Sequence, residues 1–325
     1  MLANPYKLER LNPGPMETRD IIIIGAGPAG LAASLYAVRA GLSVLVLEKA
    51  LAGGMLLSVP RIENYPGFPG GISGMELGQK MAQQAREAGA EIKELEEATG
   101  LDLKGVEKSV KTASGSEYKA KAIIIATGWS PLKLNVPGEE ELVGRGVSYC
   151  AVCDGPLFRG KKVAVVGGGE QAVASALYMA DIASEVTLIT PGRRLHAPEA
   201  LVERLAEKGV RVITRAKVER LVGHELLERV VLKSFDTDEF VELQVQGLFV
   251  QVGIKPNSEL ARAAGVEVDG RGFIVVDERQ RTNIPGVFAA GDVTNKSPKQ
   301  VCTAVAQGAV AALEAASYIR GAPAA

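Results

Sequence analysis

Cys150-Ala151-Val152-Cys153 places two thiols three positions apart, and Asp154 and Gly155 follow at once. One C-x-x-C supplies two of the four ligands of a tetrahedral zinc site. No second cysteine pair or histidine cluster completes that set, since the chain has only His196 and His224, and no metal is expected. A redox dithiol is the favoured reading. Side chains at this spacing at a helix start can close a small disulfide ring, the helix N-terminus favours a thiolate, and the thiolate is the species that exchanges. Two buried, inert cysteines are the alternative. Opening such a disulfide leaves a thiolate that must take up a proton, and a partly desolvated carboxyl beside it can deliver one. Asp154 is therefore assigned as general acid, against the alternative that it caps a turn. Cys302 is left over and reads as a small packing residue.

Glycine-rich loops supply the second chemical signal. Gly25-Ala26-Gly27-Pro28-Ala29-Gly30 lies between an apolar run at 21–24 and a helical pattern at 31–40, with the next apolar run at 44–47. This is the G-x-G-x-x-G arrangement in which backbone approaches a pyrophosphate at a helix N-terminus. Glu48 falls at the following strand end, where a carboxylate can bind ribose hydroxyls. A second unit repeats the grammar: an apolar run at 163–166, the loop Gly167-Gly168-Gly169-Glu170-Gln171-Ala172, a helical pattern at 172–183 and an apolar run at 186–189. Gly167, Gly169 and Ala172 keep that loop small enough for a pyrophosphate.

These elements predict an α/β fold with two Rossmann-like dinucleotide-binding domains, the second inserted into the first. Turn residues at 128–131 and 254–257 mark the crossings. The outer domain is expected over 1–129 and 258–325, with 1–18 a loose extension. The inner domain, 130–257, carries the dithiol. Further strands are expected at 123–125 and 248–250, and a helix over 301–319.

Composition narrows the function classes. The chain has 325 residues, 23% of them charged, and a net charge of −1, with Lys and Arg interspersed among Asp and Glu, so nucleic acid is not an expected partner. Residues 21–38 carry no charge, yet glycines and Pro28 interrupt them at loop spacing, which argues against a membrane span. The first eighteen residues lack the apolar middle of a secretory signal. Three cysteines do not make a disulfide scaffold, which suits a cytoplasmic protein.

Ala126-Thr127-Gly128 and Ala289-Ala290-Gly291-Asp292 resemble the flavin-binding patterns of two-dinucleotide-domain flavoproteins, in which the Asp of the second pattern holds the FAD ribitol. Taken with Cys150-Ala151-Val152-Cys153-Asp154-Gly155 and Glu63-Asn64-Tyr65-Pro66-Gly67, the chain from about Arg19 to about Ile319 resembles the low-molecular-weight thioredoxin reductases. The resemblance implies FAD in the outer domain, held by Gly25, Gly27, Pro28, Ala29, Gly30, Glu48, Gly54, Met55, Asn64, Ala126, Thr127, Gly128, Gly291, Asp292, Lys299 and Gln300. It implies a homodimer, a thioredoxin-fold partner, electron exchange with the flavin at Cys153 and attack on thioredoxin by Cys150. It also implies an inserted domain that swings about hinges at 128–131 and 254–257.

Departures from the pattern bear on the electron donor. Where NADPH-using members carry His-Arg-Arg and a further Arg, this chain has Thr190-Pro191-Gly192 and His196, with Arg193 and Arg194 as substitute cations or as a solvated basic turn. No acid at Thr190 is placed for the ribose of NADH either. NADPH, NADH, ferredoxin and another electron carrier all stay open as donor. Met55 replaces a usual Gln and Lys299 a usual Arg. Two other functions remain at this stage: a flavin dithiol oxidase that passes electrons from a small dithiol to oxygen, and a noncatalytic flavin redox sensor.

Overall fold

The computed structural model describes residues 17–59, 62–296 and 298–321. Contacts divide the chain into two compact units. The first comprises the chain up to Gly54, Gly78–Gly128 and everything from Pro256 onward; the second comprises Met55–Leu77 and Trp129–Lys255. Residues 55–77, expected in the outer domain, thus group with the second unit. Their described residues contribute no strand to either main sheet and include the Ile62–Ile72 bridge and the Gly74 N–H to Val59 carbonyl bond.

The first unit is built on strand β1, Glu17–Ile24, whose residues Ile21, Ile22, Ile23 and Ile24 are all buried. A strand apolar on both faces belongs at the centre of a parallel sheet covered on both sides. β1 pairs in parallel with β2, Val44–Leu47, and with β3, Glu117–Ile125, in a seven-stranded sheet; Val287–Ala289 adds beyond β3. The expected strand at 123–125 is longer than its apolar run, because 117–122 alternate between the faces where antiparallel Lys108–Thr112 joins. The loose extension expected over 1–18 is corrected at its end: Glu17 and Thr18 extend β1 by pairing with Tyr118 and Lys119, and residues 1–16 lie outside the described residues.

Helix α1, Pro28–Arg39, starts with proline at its first turn, where no amide hydrogen is needed, and the chain turns through Gly41. Along it packs the C-terminal helix, Val301–Ile319. That helix is long and apolar enough to cross a membrane, but Ala304, Ala311, Ala312, Ala315 and Ala316 are buried in the core it shares with α1. Small residues let the two backbones approach: a Cβ on Gly308 would lie 2.1 Å from the Ala29 carbonyl oxygen.

In the second unit β4, Lys162–Val166, α2, Glu170–Ala180, and β5, Glu185–Ile189, form the repeated βαβ. The parallel sheet runs Arg211–Ile213, β5, β4, Gly247–Val250 and Val147–Ser148. One face packs on α2 through Ala172, Val173, Ala176 and Met179. The other is covered by an antiparallel meander, Ala216–Gly223, Leu227–Ser234 and Phe240–Gln244. The meander escapes a search for apolar runs because its outer face is wet and its strands alternate.

Candidate active site

Cys150 and Cys153 are disulfide-bonded, with Cα atoms 5.3 Å apart. Cys150 is the N-cap of a single helical turn, Ala151–Asp154, and its Sγ accepts the Cys153 backbone N–H at 3.2 Å. The sequence expected a helix dipole to favour the thiolate. One turn carries little macrodipole, so the local donor does that work: a sulfur already facing an N–H is stabilised as an anion once the bond opens. Both cysteines are half-buried, and Val152 between them is exposed.

Asp154 ends the same helical turn that Cys150 caps, and it is buried. Its Oδ2 accepts a 2.6 Å hydrogen bond from Ser148 Oγ, and its Oδ1 is buried with no hydrogen-bond partner. Burial pushes its pKa above the ordinary aspartate value, and the Ser148 hydroxyl pulls only partly against that. The side chain bonds no amide of its own turn, which disfavours the turn-cap alternative. Ser148 escaped the sequence reading, because a serine two places before a cysteine has no significance until folding turns Asp154 back onto it. Neighbouring Tyr149 is also tied down. Its hydroxyl donates to Glu139 at 3.0 Å, which together with burial drives its pKa up, and Gln251 Nε2 donates to its carbonyl.

In the first unit the C-terminal ends of four adjacent strands meet. Gly25 N–H donates to Leu47, Ala126 to Ile24, and Ala290 to Ile125, at 2.8–3.0 Å, so Gly25–Gly30, Ala126–Gly128 and Gly291–Asp292 converge on the N-terminus of α1. Gly25 has a positive φ, and a Cβ there would lie 2.4 Å from the Ala126 carbonyl oxygen; one on Gly30 would lie 1.9 Å from that of Gly25. Glycine is therefore a packing requirement at both. Gly27 instead faces room, with Gly54 Cα, 3.9 Å from its Cβ position, the nearest atom among the described residues. Glu48, buried at the end of β2, accepts from Ala26 N–H at 2.7 Å and Ala50 N–H at 2.9 Å, so its carboxylate is fixed at the loop before any ligand arrives. An open loop glycine, a helix N-terminus and a strand-end carboxylate are what a dinucleotide requires.

Residues 19–308 match the family model of the pyridine nucleotide-disulphide oxidoreductases. The chain belongs to this family. A thioredoxin reductase of Treponema pallidum is 43% identical over 94% of this chain and 98% of its own length. A 34.2 kDa protein of the rubredoxin operon of Clostridium pasteurianum is 41% identical over 93% of this chain and 97% of its own. Among solved structures, the thioredoxin reductase of Streptococcus pyogenes superposes with a TM-score of 0.87 at 38% identity, covering 94% of this chain and 99% of that one. Thioredoxin reductases are FAD enzymes, and the cradle around Gly27 and Glu48 fits that cofactor.

Met55 and Asn64 are exposed within 55–77, the segment grouped with the second unit. Asp292 lies on the 3-10 turn Gly291–Val293, whose first N–H is held by Gln307. Lys299 donates to the carbonyls of Thr294 and Lys296 and lies 4.6 Å from the Phe273 ring; burial lowers its pKa. Gln300 caps the C-terminal helix in a reciprocal box with Thr303.

The family's second nucleotide loop has a different strand end here. Thr190 is buried after β5, and its Oγ1 accepts the Gly192 N–H at 3.2 Å, where Glu48 offers a carboxylate in the first unit. His196 N–H donates to the Gly168 carbonyl at 2.7 Å, as Gly53 N–H does to Ala26. The chain passing the loop is thus Gly53-Gly54 in the first unit and His196-Ala197 in the second. Arg193 and Arg194 are both exposed.

Proposed function

We propose that this protein is a thioredoxin reductase that draws on an electron donor other than NADPH. The observation carrying the reductase reading is the Cys150–Cys153 disulfide beside a buried carboxyl with an unpartnered oxygen. FAD, when bound and reduced by the donor, would supply the two electrons that open the disulfide. Opening it leaves two thiolates; Asp154 gives one of them a proton, and the thiol–thiolate pair then reduces the disulfide of a thioredoxin-fold protein by exchange. Cys153 is the thiol that would exchange electrons with the flavin, and Cys150 the one that attacks the partner. The N–H of Cys153 directed at Cys150 Sγ supports the second assignment, because it stabilises the attacking thiolate.

FAD is bound by Gly25, Gly27, Pro28, Ala29, Gly30, Glu48 and Gly54, with Ala126–Gly128, Gly291, Asp292, Met55, Asn64, Lys299 and Gln300 completing the site. Residues 1–129 and 258–325 serve as the FAD domain and residues 130–257 as the dithiol-bearing inserted domain, with hinges at 128–131 and 254–257. The protein acts in the cytoplasm as a homodimer, as the family resemblance implies. For the donor, a small redox carrier such as ferredoxin is favoured over NADPH or NADH. The strand end after β5 presents a buried threonine in place of an acid, and no basic residue follows until Arg193. A relative named for its rubredoxin operon fits a carrier-linked setting. Gly167, Gly169 and Ala172 still leave a loop narrow enough for a pyrophosphate, so Arg193 and Arg194 would be its nearest cations.

Anaerobic mixing with NADPH, NADH and reduced ferredoxin in turn, followed by thioredoxin, tests both halves. Flavin bleaching by ferredoxin and subsequent thioredoxin reduction is the expected result. Fast bleaching at micromolar NADPH would overturn the donor reading. Peroxide production from a small dithiol, with no thioredoxin reduction, would establish an oxidase instead. Cys150→Ser is expected to keep flavin reduction and lose turnover with thioredoxin.

A further inference from the structure

Ser148 ends the strand Val147–Ser148 and is buried, and its hydroxyl oxygen faces three polar groups. Asp154 Oδ2 is 2.6 Å away, the Cys150 N–H donates to it at 3.0 Å, and the Cys150 carbonyl is 3.3 Å away. A hydroxyl has one proton to give. The nearer and stronger acceptor is the carboxyl oxygen, so the proton goes to Oδ2 and the Cys150 N–H fills an acceptor position on Oγ. With Oδ2 committed as acceptor, only Oδ1 is left to carry the carboxyl's own proton. Oδ1 is buried and has no hydrogen-bond partner.

We propose that Ser148 is a positioning residue that holds the acidic proton of Asp154 on Oδ1, unshared and ready for transfer, while tying the carboxyl to the backbone of Cys150. The inference deepens the reading of Asp154 as the acid and rests on it. In the transfer the Oδ1–H bond breaks, an S–H bond forms on one thiolate of the opened disulfide, and the O–H electron pair stays on the carboxylate. Ser148 then stabilises that carboxylate through Oδ2. Were the proton on Oδ2, it would be locked into a hydrogen bond to Oγ, and the hydroxyl would turn to the more distant Cys150 carbonyl. The link to Cys150 has a second consequence. Because one oxygen holds both the acid and the N–H of the redox cysteine, the proton source follows any shift of that cysteine as the disulfide opens.

Infrared difference titration of the flavin-loaded protein tests this, with Asp154→Asn identifying the carboxyl band. In the wild type the C=O stretch of neutral Asp154 is expected at the lowered frequency of a carbonyl that accepts a hydrogen bond. In Ser148→Ala it should rise to that of a free carbonyl. The titration midpoint should rise by roughly one pH unit, the size of one hydrogen bond to a charged group. Ser148→Thr, which keeps the hydroxyl, should restore both. A wild-type band already at the free-carbonyl frequency would overturn the proposal without any Ser148 variant. So would an unchanged band and midpoint in Ser148→Ala, or a folded Ser148→Thr that restores neither. Failure of the underlying reading shows separately, as an undiminished rate of dithiol formation in Asp154→Asn.

Discussion

At the residue scale the centre of interest is a carboxyl held where it is uncomfortable. Asp154 is buried with a raised pKa, so its neutral form is favoured in the folded protein relative to the unfolded chain. The linkage follows from the direction of that shift. The folded state binds the extra proton in the window above the ordinary aspartate value, so this group's contribution to stability is full below that value and is lost as pH rises through the folded pKa. Asp154→Asn keeps an acceptor for Ser148 and removes the cost of either ionising a buried carboxyl or holding its proton above the ordinary aspartate pKa. It is therefore expected to raise the melting temperature at pH 7–8, by roughly 1–2 °C per kcal/mol released, and to leave it unchanged near pH 3. Calorimetry at the two pH values checks this, and an equal or lower melting temperature at neutral pH would contradict the burial argument. The same variant is expected to slow disulfide opening, so function and stability pull apart at one atom pair.

Elements are positioned by close backbone contacts more than by side-chain size. Gly308 on the C-terminal helix meets Ala29 in the first turn of α1, two residues into the helix that the nucleotide loop opens. Gly308→Ala is expected to push the helices apart, cost about 1–3 kcal/mol as overpacking, and weaken flavin retention. Urea unfolding and the flavin absorbance remaining after gel filtration measure the two effects. A second tension lies on the neighbouring strand. Lys108 is 1% exposed, donates to the Gly105 carbonyl at 3.2 Å, lies 5.9 Å from the Tyr318 ring, and has its pKa lowered by burial alone. Here the unfolded chain binds more protons between the lowered value and the ordinary one near 10.5. Stability from this group therefore rises as pH climbs through that window. Lys108→Met should be more stable than the parent at pH 7, with the gap closing by pH 10.5. Chemical unfolding at both pH values decides it. None of this was legible from spacing: Lys108 is one charge in a polar-looking stretch until the sheet folds it under Tyr318.

For the whole molecule the open step is how electrons enter. The two βαβ units share a loop architecture and differ at one strand end, Glu48 against Thr190. If that difference sets donor choice, restoring basic residues should restore nucleotide use. A variant carrying Thr190→His, Pro191→Arg, Gly192→Arg and His196→Arg is expected to bleach its flavin with NADPH at least tenfold faster than the parent, an increment of one cation–phosphate contact or more. Stopped-flow absorbance reads this directly. A parent already fast with NADPH would place recognition elsewhere in the inserted unit.

Local pattern determined the parts of this protein that repeat known backbone chemistry. The cysteine pair, both glycine loops and Glu48 are each read within a few dozen residues, and the helix over 301–319 and the strand at 44–47 appear where apolar patterning placed them. Those signals survive in one dimension because strand, loop and helix are contiguous and each residue type has a steric or chemical reason to be there. Tertiary structure alone decided the partners. Ser148 meets Asp154 because a helical turn brings the aspartate back over the strand end, and Gly308 meets Ala29 across most of the chain length. The antiparallel meander and the wet half of β3 were hidden for a related reason, since a half-exposed strand declares itself only through the surface it covers. The redox dithiol stands out in sequence; the burial of Asp154 after it and the Ser148 hydroxyl on that carboxyl are products of folding, which only the folded chain possesses.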